Sequence, residues 1–344
     1  MKKVAIIGTV GVPAKYGGFE SLVENMIGDN CSCDIQYTVY CSGKSYNDKI
    51  EEYKGAKLKY VPLKANGVQS IPYDIISIFR AIRENDVLLI LGVSGCLILP
   101  VIRLFSRKKI IINIDGLEHR RDKWSPNVRK FLKWSEKVAV GHADVIVTDN
   151  KGIYDYVKVE YGKESEVIAY GGDHVIVSSN IEVQDYSFAL CRIEPENNVH
   201  TILEAFAGTP HKLKFVGNWL NSEYGEKLVD KYKNSENIEL LNPIYDLERL
   251  GELRGGCKYY IHGHSAGGTN PSLVEAMFFG RPIVAFDVIY NRETTENKAC
   301  YFTDSQNLRQ LVSSYDISCG DLLVEVAKRR YCWSIIAKQY ESLY

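Results

Sequence analysis

The chain has 344 residues, 45% of them hydrophobic and 25% charged, and a formal net charge of −1. That length suggests two domains of about 100–200 residues each, and the near-zero charge removes any global electrostatic case for nucleic acid. Nine scattered cysteines exclude an ordinary paired disulfide framework and fit reduced thiols, while no run reaches the roughly 20 apolar residues of a membrane span.

The chain opens with Met1-Lys2-Lys3 running straight into a strand-like Val4-Ala5-Ile6-Ile7-Gly8, too short for the apolar region of a secretory leader. A cytoplasmic protein is therefore expected. Short runs rich in Val and Ile at 3–8, 35–40, 57–61, 87–91, 109–114 and 145–148 read as strands. Between them, 19–28, 73–83, 97–105 and 127–140 place apolar residues at three- and four-residue spacing and read as helices. The most apolar stretch, 87–105, is broken by Gly92, Ser94, Gly95, Pro100 and Arg103, so it reads as strand, turn and helix. The pattern then restarts, with strands at 187–190, 213–216, 238–241, 259–261 and 283–286. Helices are expected at 199–207, 224–232, 247–253, 271–279 and 308–314. Strands apolar along their whole length, alternating with helices, predict an α/β fold of two parallel sheets, two Rossmann-like domains with a cleft between them. The turn-rich Tyr170-Gly171-Gly172-Asp173 marks the join. The expected domains are 1–170 and 171–331, with the aromatic, helical 332–344 crossing back to the first.

Four segments carry chemistry. The first, Gly8 to Glu20, follows the first strand and opens a helix. Its Gly17-Gly18 pair lets the backbone approach a ligand, and its spacing fits neither a dinucleotide fingerprint nor a P-loop. The second, from Gly263 and His264 through Gly267, Gly268, Thr269, Asn270, Pro271 and Ser272 to Glu275, follows a late strand. Asn270 can cap the helix and Pro271 suits its first position, leaving amides to hold a diphosphate, with Glu275 about a turn in. The third bunches Asp115, Glu118, His119, Arg120, Asp122, Lys123 and Trp124 at a strand's carboxyl end, where site groups of such sheets lie. The fourth runs from Cys191 to Asn198. Its Arg192 offers a forked cation to a phosphate or, alternatively, pairs with Glu194 or Glu196.

At these residues the chain resembles the retaining, nucleotide-sugar-dependent glycosyltransferases of family four, which have the GT-B fold, and the resemblance spans nearly the whole length. More narrowly, Pro13-Ala-Lys-Tyr16-Gly17-Gly18-Phe19-Glu20, Asp115-Gly-Leu-Glu118, Arg192-Ile-Glu-Pro-Glu-Asn197-Asn198 and the 262–276 block look like bacterial rhamnosyltransferases of polysaccharide assembly. The resemblance implies a dTDP-L-rhamnose donor, an undecaprenyl-diphosphate-linked saccharide acceptor, and no cofactor. It implies donor contacts from Gly17, Gly18, Arg192, Asn197, Gly268, Thr269, Asn270, Ser272 and Glu275, and places Asp115, Glu118 and His119 around the transferred sugar. The wider family has a second glutamate eight positions before Glu275 and a lysine five after Arg192. Here Gly267 and Asn197 stand there, as in the rhamnosyl-like subset.

No Asp-x-Asp pair is present to hold a metal to a diphosphate, so Arg192 and backbone amides are expected to supply that stabilisation without a metal. Domain closure is expected to exclude water. Arg103, Arg107, Lys108, Lys109, Arg120, Arg121, Lys123, Arg129, Lys130, Lys133 and Lys137, with Phe131 and Trp134 nearby, form a basic cluster. It reads either as solvated helix faces or as a contact with the inner face of an anionic membrane. Two rivals keep the fold: a nucleotide-sugar epimerase, and a binder that turns nothing over.

Overall fold

The apolar runs become the buried centres of two sheets. The computed structural model describes residues 1–15, 17–114, 116–120, 124–176, 181–314 and 317–344. Tyr16, Asp115, Arg121, Asp122 and Lys123, all named above, lie outside the described residues. The chain divides into unit 1, Met1–Tyr170 with Trp333–Tyr344, and unit 2, Gly171–Cys332.

Unit 1 contains β1 (Lys2–Ile7), α1 (Gly18–Met26), β2 (Ile35–Ser42), β3 (Glu52–Tyr53), β4 (Ala56–Val61), α2 (Ser70–Glu84) and β5 (Val87–Leu91). It continues with α3 (Leu99–Phe105), β6 (Lys109–Asn113), α4 (Pro126–His142), β7 (Val145–Thr148), α5 (Lys151–Tyr161) and β8 (Glu166–Val167). The sheet order is β3-β4-β2-β1-β5-β6-β7-β8, parallel except where β3 meets β4. With the two-residue edge strands set aside, this is the doubly wound order 3-2-1-4-5-6. Val87–Leu91 is buried at every position, as befits a central strand covered on both sides.

Unit 2 contains β9 (Ser187–Leu190), α6 (Val199–Phe206), β10 (Leu213–Val216), α7 (Glu223–Tyr232), β11 (Ile238–Leu241), α8 (Leu247–Gly256) and β12 (Tyr259–His262). Then follow α9 (Pro271–Met277), β13 (Ile283–Phe286), α10 (Ile289–Thr294), β14 (Cys300–Phe302), α11 (Ser305–Ser313) and α12 (Gly320–Arg330). Its six strands, all parallel, run β11-β10-β9-β12-β13-β14, again 3-2-1-4-5-6.

The last helix, α13 (Trp333–Ser342), returns to unit 1 and packs against α1. Trp333, Ile336, Tyr340 and Tyr344 join Leu22, Val23, Met26, Tyr37 and Val39 in one core. Hydrogen bonds help fix it: Asn113 Nδ2 donates to Tyr340 Oη at 2.8 Å, Tyr37 Oη to Tyr344 Oη at 3.1 Å, and Ser32 N to Glu341 Oε1 at 2.7 Å.

Candidate active-site residues in the two units

In unit 2 the strand order reverses between β9 and β12, the point at which doubly wound sheets take their ligands. The loops carrying Arg192 and Gly268 leave these two strands. They are stitched together: Asn198 Nδ2 donates to Gly263 O at 2.8 Å, and Ser265 donates to Glu196 O from both N (2.9 Å) and Oγ (2.7 Å). A Cβ on Gly263 would lie 2.1 Å from Asn197 O, so the approach requires glycine.

Asn197 is spent inside this seam. Its Nδ2 donates to Arg192 O at 2.7 Å, and its Oδ1 lies 2.7 Å from His264 Nδ1, which therefore carries the proton. Arg192 is exposed, and its guanidinium makes no hydrogen bond or ion pair among the described residues. The ion pair with Glu194 or Glu196 that its sequence allows is not formed there. Asn270 caps α9, its Oδ1 accepting from Ser272 N at 3.0 Å and from Ser272 Oγ at 2.8 Å, with Pro271 at the first position. Thr269 is buried, and the amide of Gly268 donates to no group among the described residues.

Glu275 is held rather than free. Oε2 pairs with Arg254, whose side chain is 2% exposed, and Oε1 lies 3.7 Å from His174 Nε2. Burial pushes the His174 pKa down, the Glu275 charge opposes it, and burial prevails. Nε and Nη1 of Arg254 are buried and have no hydrogen-bond partner among the described residues. Neither Arg254 nor His174 stood out in the sequence. The available signal was an arginine on the buried stripe of α8 beside Leu250 and Leu253.

In unit 1, Gly17 precedes α1 with φ +126, and a Cβ there would strike Glu20 Oε2 at 2.0 Å. Glu20 Oε1 accepts from Thr9 Oγ1 at 3.0 Å and from Val10 N at 2.7 Å, so Gly17 shapes the loop after β1. A Cβ on Gly18 would meet the Tyr170 ring at an ordinary contact distance of 3.6 Å.

The loop after β6 carries Glu118 and His119; Asp115 is outside the described residues. Leu117, buried, holds φ +55, a left-handed conformation unusual for a bulky residue. Glu118 Oε2 accepts from Trp124 Nε1 at 2.8 Å. His119 Nδ1 lies 3.0 Å from Glu136 Oε2, and the hydroxyls of Tyr156 and Tyr161 both donate to Glu136 Oε1 at 2.5 Å. Burial alone would raise the Glu136 pKa; the bonds from His119, Tyr156 and Tyr161 outweigh it and leave the carboxyl below its usual value. Glu136 is thus ionised and keeps the proton on His119 Nδ1, leaving Nε2 without a partner among the described residues. His119 also lines a cavity of about 500 Å³ walled mainly by α4.

Two Rossmann-like units of this order define the GT-B class of glycosyltransferase fold. Residues 1–173 match the family described as Domain of unknown function (DUF1972), and the chain belongs to that family. Residues 177–315 match Glycosyl transferases group 1 and form a domain of that group. Among solved structures, sucrose-phosphate synthase from Thermosynechococcus elongatus is similar at TM-score 0.82 and 16% identity, covering 100% of this chain and 98% of that one. Anabaena HepE in complex with UDP-glucose is similar at 0.76 and 15%, covering 99% and 98%. A glycosyltransferase from Rickettsia africae is similar at 0.72 and 11%, covering 100% and 97%. No curated protein matches the sequence. Among the described residues no helix is long and apolar enough to cross a membrane.

Proposed function

We propose that the protein is a retaining glycosyltransferase that takes a sugar, L-rhamnose from dTDP-L-rhamnose, and adds it to a saccharide linked to undecaprenyl diphosphate. The observation that carries the donor side is the stitched pair of loops at the reversal point of unit 2. One presents a cation, Arg192, and the other an amide, Gly268, neither of which has a partner among the described residues. That pairing suits a diphosphate. Gly268, Thr269 and Asn270 cradle the phosphates, with Ser272 behind them. Glu275, oriented by Arg254, accepts from a hydroxyl of the nucleotide sugar. Asn197 positions the loops. The group 1 domain supports the same assignment, as does HepE, which has been crystallised with UDP-glucose.

Unit 1 takes the acceptor. Gly17 and Gly18 border the ligand, and Asp115, Glu118 and His119 line the transferred sugar. The bond from the anomeric carbon to the diphosphate oxygen breaks, and the acceptor hydroxyl oxygen bonds that carbon on the same face. The hydroxyl proton leaves to the departing phosphate. Charge developing on the leaving group is met by Arg192 and the loop amides, in place of a metal. The basic residues of α3 and α4, with the exposed Leu104, Phe105 and Trp134, support a peripheral position on the inner face of an anionic membrane.

The test is thermal stabilisation and turnover in EDTA with dTDP-L-rhamnose beside UDP- and GDP-sugars, with and without a lipid-diphosphate saccharide. Stabilisation by dTDP compounds and acceptor-dependent dTDP release are expected. Stabilisation by another nucleotide alone would discard the sugar; binding without turnover under every condition would discard the transferase.

A further inference from the structure

Two cysteines of unit 2, on either side of α11 in the chain, come together at the start of β13. Cys300 opens β14 and sits in register with Val284 of β13. With Ile317 it packs onto the core that holds Val284 and Phe302. Cys319 immediately precedes α12, and its Sγ lies 4.0 Å from the carbonyl oxygen of Ile283, the residue before Val284. There the Cys300 thiol is in hydrogen-bond contact with the Cys319 sulfur. Sulfurs in that contact need only a short approach to form a bond of about 2.05 Å. The start of α12 is seated without slack, since a Cβ on Gly320 would lie 2.0 Å from Gly280 O. The contact with Cys300 holds the Cys319 thiol below its ordinary pKa, against the burial that raises it. The amides that open α12 favour the same negative sulfur. Cys300 is pushed up by the same contact and by burial, so it keeps its proton. By contrast, burial pushes up the thiols of Cys41, Cys96, Cys191 and Cys257. Cys319 is 8% exposed and Cys300 half-buried, an opening that suits a small oxidant. A thiolate with a second thiol set against it is the arrangement of a redox-reactive pair.

We infer that Cys300 and Cys319 are a peroxide-reactive dithiol that closes to a disulfide. The Cys319 thiolate attacks one oxygen of hydrogen peroxide. The O–O bond breaks, a sulfenic acid forms, and the departing hydroxide takes up the proton that Cys319 had released, leaving as water. The Cys300 sulfur then attacks the Cys319 sulfur. The S–O bond breaks, and the hydroxyl leaves with the Cys300 proton as a second water. Peroxide gains two electrons and the two thiols give them up. The new bond joins the edge strand β14 to α12, which packs against α9, the helix that Asn270 caps.

The test treats the full reduced chain with stoichiometric hydrogen peroxide and maps it by mass spectrometry without reductant. Trypsin cleaves after Lys298, Arg309 and Lys328, so the reduced chain yields 299–309 and 310–328 as separate peptides. After peroxide they should appear as one linked species, two hydrogens lighter than their sum, that dithiothreitol separates again. The oxidised chain should melt about 5 °C higher, because the bond closes a loop around α11. In Cys300→Ser, dimedone should trap Cys319 as its sulfenic acid. In Cys319→Ser, the same peroxide should leave Cys300 a free thiol. Absence of the linked pair from the wild-type chain, or links scattered over the other cysteines, overturns the inference and requires no variant to fold. A folded Cys300→Ser chain that gives no adduct at Cys319 overturns it as well. So does a linked pair that forms only after the melting transition has been lost, since the bond then belongs to the unfolded chain.

Discussion

Replacing Glu136 with Gln perturbs a buried charge of unit 1 that three side chains bond. The carboxylate is 2% exposed and receives His119, Tyr156 and Tyr161 on its two oxygens. Hydrogen bonds to a charged group are worth about 1.5–3 kcal/mol each. Glutamine keeps one acceptor oxygen and turns an N–H₂ toward donors on the other side, so at least one bond is lost and one donor faces another. Relief from burying a charge returns part of this, for a net loss of about 2–4 kcal/mol at neutral pH. In a unit of this size each kcal/mol lowers the melting temperature by about 2–4 °C, so a drop of about 5–15 °C is expected by calorimetry. The pH dependence has a defined sign. The folded-state pKa is depressed below the ordinary glutamate value of 4.5, so the stabilisation is complete above that value and disappears as the pH falls through the folded pKa. Wild type and Glu136→Gln should therefore converge in acid. The glutamine N–H also favours the other tautomer of His119, and turnover should fall by about 10²-fold. Equal melting at pH 7, or a deficit that persists undiminished at pH 3, would refute the assignment of this stability to an ionised Glu136.

Arg192→Ala should weaken nucleotide binding by about 10–100-fold, the worth of one or two charge-assisted bonds. It should leave the melting temperature unchanged, because the guanidinium has no partner among the described residues. Arg254→Met should cost about 3 kcal/mol, since it strands the Glu275 carboxylate. Adding Glu275→Gln should recover part of that in urea unfolding. Asp74, 4% exposed, is pushed up to about 8 by burial, from an ordinary value of 3.8. A carboxyl with a raised folded pKa loses stability as the pH rises between those values. Asp74→Asn should accordingly be near neutral at pH 4 and increasingly stabilising up to pH 8.5, read from urea midpoints; a stabilisation independent of pH would remove the cause.

The strands that were legible were those of four or more residues, including Ile35–Ser42 and Ala56–Val61, where polar residues alternate with apolar ones. Val87–Leu91 is the plainest, because a strand buried on both faces shows no competing polar signal, and Val145–Thr148, Ser187–Leu190 and Leu213–Val216 fall where their Val, Ile, Leu and Phe content places them. Glu52–Tyr53, Glu166–Val167 and Cys300–Phe302 are too short to show a period. The helix Gly320–Arg330 escaped notice because Leu323, Val326 and Ala327 are its buried apolar set amid charged neighbours. The site divides in the same way. Glycines, the Asn270-Pro271 start and the polar run after β6 are local in sequence and could be singled out. Their partners are not local: Glu136 lies 17 positions from His119, Arg254 lies 21 from Glu275, and Asn197 lies 67 from His264. What each partner offered was a charge or amide at a buried position. Which face of a helix is buried is decided by tertiary packing, not by the helix itself. Arg192 shows the converse: its neighbours Glu194 and Glu196 allowed an ion pair that the folded loop does not make.

The return of α13 to unit 1 has a consequence for how the protein is made. A ribosome delivers Leu22, Val23, Met26 and Tyr37 early, but Trp333, Ile336, Tyr340 and Tyr344, which complete their core, only after all of unit 2. Throughout that interval the nascent first unit displays an unfilled apolar seam, each missing side chain worth about 1.5–3 kcal/mol of burial. Unit 2, whose sheet draws on no later segment than Phe302, can mature first. A nascent chain paused before Trp333 would thus expose a seam that chaperones recognise, and expression of residues 1–170 alone would fix the protein at that unfinished stage.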